Sequence, residues 1–284
     1  EEDTQRWGMS AQLSTKVCSY VLSTFCGVHQ RFFAVDSSYE VVMTINASKI
    51  PYVNVLQFTD EIMLSLVSQT EATISAEIEK FKANGPESFE IEISAEDEIY
   101  DHIEHYHGLS DKDVCLDETF LEFFPSLNRR SVFQTIYGIY EVDLLGLCRS
   151  YHKELGGKKP DNFDGNGIVK AHNFLSRHYP EISSSQEWLA IDQLRVLRNK
   201  CVHSNGCIFN KDNRIEIIND LIQSLPDLFH HDGFQDPDGA KYSNGSTRRL
   251  GRNIVLEKGS LDYIIHSFQA YVKLVDSLHT KARA

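Results

Sequence analysis

The helical repeat of apolar residues in the C-terminal half constrains the fold of this chain most strongly. One stripe has its members at offsets 0, 4, 7, 11, 14 and 18, as one face of an α-helix requires: Phe133, Tyr137, Tyr140, Leu144, Leu147 and Tyr151. A second stripe near the C-terminus has the same period: Leu261, Ile265, Phe268, Val272 and Val275. Further helices are predicted near residues 168–178, 185–204 and 214–225, with short or polar connections between them. Four or five such helices predict a helical bundle.

The first ~115 residues mix two kinds of periodicity. The segment Tyr39–Ile45 is rich in β-branched residues and has extended character, whereas Val55–Lys82 has the pattern of a helix. Phe89–Ile93 alternates strictly between apolar and acidic residues, which is typical of a half-buried strand. We therefore predict a mainly α chain in which a smaller, acidic α+β unit (residues 1–117) precedes the helical bundle domain (residues 118–284).

The formal net charge of −13 is unevenly distributed along the 284 residues. Residues 1–119 carry 7 Lys and Arg against 22 Asp and Glu, whereas residues 120–284 carry 21 against 19. A nucleic-acid-binding protein needs a local positive surface, not a positive total, so only the C-terminal part could supply one. The acidic part either restrains the access of RNA or is an ordinary solvated surface, and we favour the second interpretation. No apolar run approaches the ~20 residues of a membrane helix, so no membrane association is expected.

The cysteines are spaced like reduced thiols and not like a disulfide framework. No two of them form a C-x-x-C pair, and a chain of this length does not need covalent cross-links. We therefore expect an intracellular, cytoplasmic protein. The six are Cys18, Cys26, Cys115, Cys148, Cys201 and Cys207. Cys201 falls on the apolar stripe of its predicted helix, which indicates a core thiol and not a nucleophile.

The segment Arg198-Asn199-Lys200-Cys201-Val202-His203 carries the most chemistry in the chain. Arginine is always charged and presents a planar fork that fits phosphate. Histidine is the side chain whose unperturbed pKa lies nearest neutrality, so it can take and give protons. Asn199 can orient the other two by hydrogen bonds. Together these groups could cleave RNA, in which the 2′-hydroxyl supplies the nucleophile and no metal ion is required.

Arg198-Asn199-x-x-x-His203 resembles the RNxxxH form of the Rx4-6H motif of the HEPN superfamily. The resemblance covers only the C-terminal part of the chain. It implies a small all-helical domain that works as a metal-independent endoribonuclease without a cofactor. It also implies a homodimer in which two motifs face each other, and a role as a toxin or an antiviral-defence effector with a possible antitoxin or regulatory protein as partner. Asn205 stands where the family variant that pairs with a nucleotidyltransferase antitoxin has a Tyr, which puts modification by such a partner in doubt.

The spacing of Arg198 and His203 raises a geometric problem. Positions five apart lie about 140° around a helix, so a straight helix does not bring both side chains to one point. Either the helix ends before His203, as Asn205-Gly206 suggests, or two chains pool their residues. In the simplest structural interpretation, His203 caps the helix and Arg198 pairs with a carboxylate. The alternative function is a non-catalytic helical module that binds protein or RNA.

Other charged positions also allow two interpretations. Lys200 and the basic segment with Arg248, Arg249 and Arg252 are candidate RNA-phosphate contacts, although the segment fits an exposed connector equally well. Asp101-His102-x-x-His105-x-His107 is interpreted as a charged helix end, because it lacks the frame of a metal site. No metal is therefore predicted. Glu141 is expected at the surface or in helix pairing.

Overall fold

A computed structural model describes residues 52–94, 99–208, 212–232 and 252–283. The extended character predicted for Tyr39–Ile45 lies outside these residues. The described residues contain six α-helices of ten residues or more, and these confirm the mainly α class: α1 Tyr52–Asn84, α2 Phe124–Leu155, α3 Ile168–His178, α4 Gln186–Ser204, α5 Ile215–Ser224 and α6 Ser260–Arg283. A helical turn at Leu116–Glu118 and a π-helix at Thr119–Phe123 lead directly into α2. No described helix is both long and apolar enough to cross a bilayer.

The predicted helical stripes form the core. On α2 the stripe residues are almost completely buried, and Tyr140 stacks on Phe268 of α6 with ring centroids 4.5 Å apart. On α4 the stripe that includes Leu194, Leu197 and Cys201 is buried as well. Helix α2 ends where Gly156 adopts a φ of 69°, which confirms the predicted stop. The apolar repeat thus correctly predicted both the helices and their inward faces.

Helix α1 packs with the bundle. Leu56, Met63 and Val67 share one core with α2, α4 and α6, and the residues from Tyr52 onward belong to one compact unit. Residues 52–84, which the sequence places in the N-terminal unit, are therefore part of the helical core. A buried ion pair adds to this contact: Arg129 on α2 donates two hydrogen bonds to the carboxylate of Glu71 on α1, at 2.8 and 3.0 Å.

A three-stranded antiparallel sheet follows α1. Its strands lie in the order β1 Glu87–Ser94, β2 Ile99–Tyr106 and β3 Leu109–Ser110. The predicted strand at residues 89–93 is confirmed, but the expectation that it is half-buried is wrong, because seven of its eight residues are exposed. The predicted helix end at His102 and His105 is also wrong: both residues lie on β2, where they pair with β1.

A second small sheet lies at the C-terminal end of the motif helix α4. Its strands lie in the order β4 Cys207–Ile208, β6 Arg252–Leu256 and β5 Phe229–His231, all antiparallel. Only Asn205 and Gly206 lie between α4 and strand β4, so the chain reverses there in a tight turn. The backbone N–H of Ile254 on β6 donates to the carbonyl of Gly206 in that turn, at 3.0 Å. The C-terminal end of α4 is therefore attached to the rest of the fold.

Candidate active site

Both ends of the motif helix α4 are capped. At the N-terminus, the hydroxyl of Ser185 accepts a hydrogen bond from the backbone N–H of Trp188, at 3.1 Å. At the C-terminus, Asn205 takes the left-handed conformation with a φ of 50°, and the N–H of Gly206 donates to the carbonyl of Lys200 at 3.0 Å. The guanidinium of Arg130 also donates to the carbonyl of Asn205. The motif therefore lies on a helix whose ends are fixed.

The helix continues through the motif. Helix α4 runs from Gln186 to Ser204, so the hypothesis that it ends before His203 is wrong. Arg198 is half-buried, whereas His203 is exposed in the last turn. With about 100° of rotation per residue, the two side chains leave the helix about 140° apart. By this geometry, the Arg198 and His203 side chains of one chain diverge from the helix.

The side chain of Arg198 is held by contacts within its own protomer. Its guanidinium carbon lies 5.5 Å from the ring centroid of Tyr137 on α2, in a cation–π contact, and its Nη1 donates to Oδ1 of Asn199 at 3.3 Å. The role of Asn199 in orienting the arginine stays a prediction. Among the described residues no carboxylate lies within ion-pair distance of Arg198, so the simplest structural role expected for it is not observed.

Nε of Arg198 and the hydroxyl of Tyr137 are among the buried polar atoms that lack a hydrogen-bond partner in the described structure. Burial raises the pKa of the Tyr137 phenol, and the nearby carboxylates of Glu141 and Asp192 raise it further, while Arg195 and Arg198 oppose the shift. Tyr137 is therefore a neutral hydrogen-bond donor at physiological pH. An unpaired buried donor is costly, so the hydroxyl of Tyr137 and Nε of Arg198 are energetically unfavourable positions in the bundle.

Two arginines that the sequence did not single out lie beside the motif. Oδ1 of Asp192 accepts from Nε of Arg195, one turn before Arg198, at 2.8 Å. Its Oδ2 accepts from Nη2 of Arg214, just before α5, at 2.5 Å. Asp192 thus binds two guanidinium groups near Tyr137. The signal that could have found Arg195 is its position three residues before Arg198 on the same helix; nothing in the local sequence indicates Arg214.

The predicted RNA contacts have different environments. Nζ of Lys200 forms an ion pair with Asp212 at 2.7 Å, and both side chains are about four-fifths buried. That lysine is therefore already neutralised by a carboxylate. Arg248 and Arg249 lie outside the described residues, and Arg252 begins β6 with a side chain that is also outside them.

Cys201 and Glu141 have structural environments. Burial raises the pKa of the Cys201 thiol to about 12, with a small opposing effect of Arg130, so the thiol is protonated at neutral pH and is not a nucleophile. The carboxylate of Glu141 lies against Gly167, the residue that precedes the first turn of α3, where a negative charge is favoured by the helix dipole. This position agrees with the helix-pairing role expected for Glu141.

Within the described ranges, no three His, Cys, Asp or Glu side chains are grouped closely enough to hold a metal ion. In comparisons with known proteins, no family model, no curated protein and no solved structure matches the chain. The function is therefore argued from the motif and its surroundings alone.

Proposed function

We propose that the chain is a metal-independent endoribonuclease, with a HEPN-like bundle whose active site is completed by a second copy. Arg198 carries the proposal: its guanidinium lies in the RNxxxH motif, is oriented by Asn199 and Tyr137, and has no carboxylate partner among the described residues. A structural arginine with this degree of burial is normally paired. An arginine that binds a phosphate must keep its fork available for the substrate.

In this proposal His203 transfers protons and Arg198 stabilises charge. The imidazole of His203 removes the proton of the RNA 2′-hydroxyl, which then attacks the adjacent phosphorus. The 5′-oxygen leaves and takes up a proton, so the products are a 2′,3′-cyclic phosphate and a 5′-hydroxyl. The guanidinium of Arg198 binds the non-bridging oxygens, on which negative charge increases in the transition state. None of these steps requires a metal ion or a cofactor.

The need for two copies follows from the geometry of α4. His203 is exposed and Arg198 is directed toward the bundle, about 140° away. A two-fold arrangement of two α4 helices can place the His203 of one chain beside the Arg198 of the other. We therefore propose a homodimer with α4 near the symmetry axis. A role as a toxin or defence effector, controlled by an antitoxin or regulatory protein, belongs to the same proposal.

The experiment compares cleavage of single-stranded RNA in EDTA by the wild type, His203→Ala and Arg198→Ala. Loss of proton transfer costs about 10²–10⁴ in rate, so both variants should be nearly inactive. His266→Ala on α6 and Arg177→Ala on α3 are matched controls, because both residues are exposed and lie on other helices than α4. Arg198→Lys should not restore activity, because an ammonium group lacks the bidentate fork.

A mixture of the two inactive variants separates the dimeric site from a site within one chain. After denaturation and co-refolding, heterodimers contain one chain with an intact Arg198 and one with an intact His203. Partial recovery of cleavage is expected if the pair acts across the interface. Wild-type activity of both alanine variants, or an activity abolished by EDTA and restored by Mg²⁺, would contradict the proposed chemistry.

A second candidate is a non-catalytic helical module that binds RNA or protein. It is favoured by the cation–π contact of Arg198 with Tyr137, which can stabilise the bundle without catalysis, and by the neutralisation of Lys200 by Asp212. In that case Arg198→Ala lowers the thermal stability of the bundle and no RNA is cleaved by the wild type. Measuring cleavage and melting temperature on the same samples distinguishes the two functions.

A further inference from the structure

Strand β1 is an open edge of the first sheet. It pairs with β2 on one side, and no strand pairs with its other side within the described residues. An open edge presents backbone N–H and C=O groups that an additional strand can bind. Eight residues (Glu87–Ser94) are enough for a pairing of normal strand length.

The side chains of β1 form two chemically distinct sets. Phe89, Ile91 and Ile93 are 50%, 51% and 64% exposed, an unusual accumulation of exposed apolar surface on one strand. They alternate with the exposed carboxylates of Glu90 and Glu92. The strand therefore offers one apolar face and one acidic face beside an open hydrogen-bonding edge.

Strand β2 follows this division in part, since Asp101 stands opposite Ile91 and Tyr100 opposite Glu92. Ile103 is the cross-strand neighbour of Phe89 on the apolar face. On the other face, Glu104 stands opposite Ser88, and His102 stands opposite Glu90, with 3.6 Å between its Nδ1 and the carboxylate. The hairpin is attached to the helices at its other end, where the ring of Tyr106 contacts Phe81 with centroids 4.8 Å apart.

We propose that β1 binds an extended segment of another protein in which apolar residues alternate with Lys or Arg. Charge complementarity selects this occupant. An added strand aligned with β1 would place its apolar side chains beside Phe89 and Ile91 and its basic side chains beside Glu90 and Glu92. Each such cross-strand pair contributes to the stability of the pairing.

A second copy of the chain is a poorer partner for the β1 edge than a basic strand. Antiparallel pairing of two β1 strands about Ile91 sets Phe89 against Ile93, but it also sets Glu90 directly against Glu92. Centring the pair on Glu90 brings the two Glu90 residues together. These two registers pair seven residues of each strand and oppose carboxylates, and like charges opposite each other are destabilising. Centring the pair on Phe89 avoids opposed carboxylates but pairs only five residues, Glu87 to Ile91.

The test uses the full chain and a fluorescent synthetic peptide that alternates Lys with Ile. Controls are a peptide that alternates Glu with Ile and a scrambled Lys/Ile peptide of the same composition. We expect fluorescence anisotropy to show binding of the alternating Lys peptide only. Hydrogen exchange should show new protection of the backbone amides of β1.

Variants separate strand pairing from general attraction to an acidic protein. The double variant Glu90→Lys/Glu92→Lys should weaken binding about tenfold, because two favourable cross-strand pairs become repulsive. Glu77→Lys/Glu79→Lys makes the same change of charge on exposed positions of α1 and should leave binding within about twofold. Ile91→Thr keeps a β-branched residue on the strand but removes apolar contact, and it should also weaken binding.

Three results would overturn the proposal. They are failure of the alternating Lys peptide to bind, an equal loss of affinity in the two double variants, and self-association of the chain that is abolished by Ile91→Thr. The last result would assign the edge to a second copy. Because β1 is exposed and distant in sequence from α4, none of these variants changes the residues of the proposed nuclease site.

Discussion

Replacement of Glu71 by Ala should destabilise the bundle far more than an ordinary helix substitution. Glu71 on α1 and Arg129 on α2 are only 11% and 6% exposed, and they form a bidentate ion pair with N···O distances of 2.8 and 3.0 Å. A third hydrogen bond runs from Nη1 of Arg129 to the carbonyl of Leu256 on β6, at 3.0 Å. The pair therefore joins α1, α2 and the second sheet.

The magnitude follows from what remains after the substitution. Without Glu71, the buried guanidinium retains only the Leu256 carbonyl and the carboxylate of Glu257, which lies 3.7 Å away and is 40% exposed. Removing one partner of a buried ion pair costs about 3–5 kcal/mol, because the other charge stays buried and unpaired. The residual contact with Glu257 places the expected loss at the lower end, about 3 kcal/mol.

The assay is urea denaturation followed by circular dichroism, with Glu79→Ala on the exposed side of the same helix as the matched control. The control should change the free energy of unfolding by no more than about 0.5 kcal/mol. The double variant Glu71→Leu/Arg129→Met should lose less than Glu71→Ala, since no unpaired charge is left. Equal stabilities of Glu71→Ala and Glu79→Ala would refute the conclusion that α1 is part of the bundle core.

Two further predictions concern pH and backbone conformation. Burial against Trp188 lowers the pKa of His172 to about 4, below the usual 6.5. The folded state therefore favours the neutral ring, and stability should fall as the pH decreases from about 6.5 toward 4. His172→Gln should flatten this part of the stability–pH profile, and an unchanged profile would contradict the assignment. Gly206→Ala should cost at least about 1–2 kcal/mol more than Gly157→Ala in thermal unfolding. Both glycines have a φ of 79°, but a Cβ at Gly206 would collide with Nη1 of Arg130, whereas Gly157 has open space; equal losses would show that this contact is unimportant.

The helices could be predicted because their information is local. The stripe from Phe133 to Tyr151 and the stop at Gly156 are properties of consecutive residues, and the structure buries that stripe as expected. The burial of β1 could not be predicted in the same way. Alternation of Phe89, Ile91 and Ile93 with glutamates shows that a strand has an apolar face, but it does not show what covers that face. In this fold the described residues leave it exposed.

The position of α1 shows a second limit of local information. The pattern of its apolar residues predicts a helix, but the acidic composition of residues 1–117 suggests that this helix belongs to a separate unit. The contacts that join α1 to the bundle, such as Glu71 with Arg129, link residues far apart in sequence. A composition shift along the chain reflects the surface charge of each segment. It does not show which segments share a core, because a core is formed by the buried face alone.

The proposed site depends both on local sequence and on contacts between residues far apart in the chain. Arg198, Asn199 and His203 could be selected from the sequence because their side-chain chemistry and spacing suffice to suggest RNA cleavage. Tyr137 and Arg214 could not, because they come from other elements and meet α4 only in the fold. The contact with Tyr137 holds Arg198 on one side of α4, while His203 lies about 140° around the helix. The catalytic hypothesis therefore depends on a surface that a single chain does not provide, and the co-refolding of Arg198→Ala with His203→Ala chains tests that dependence directly.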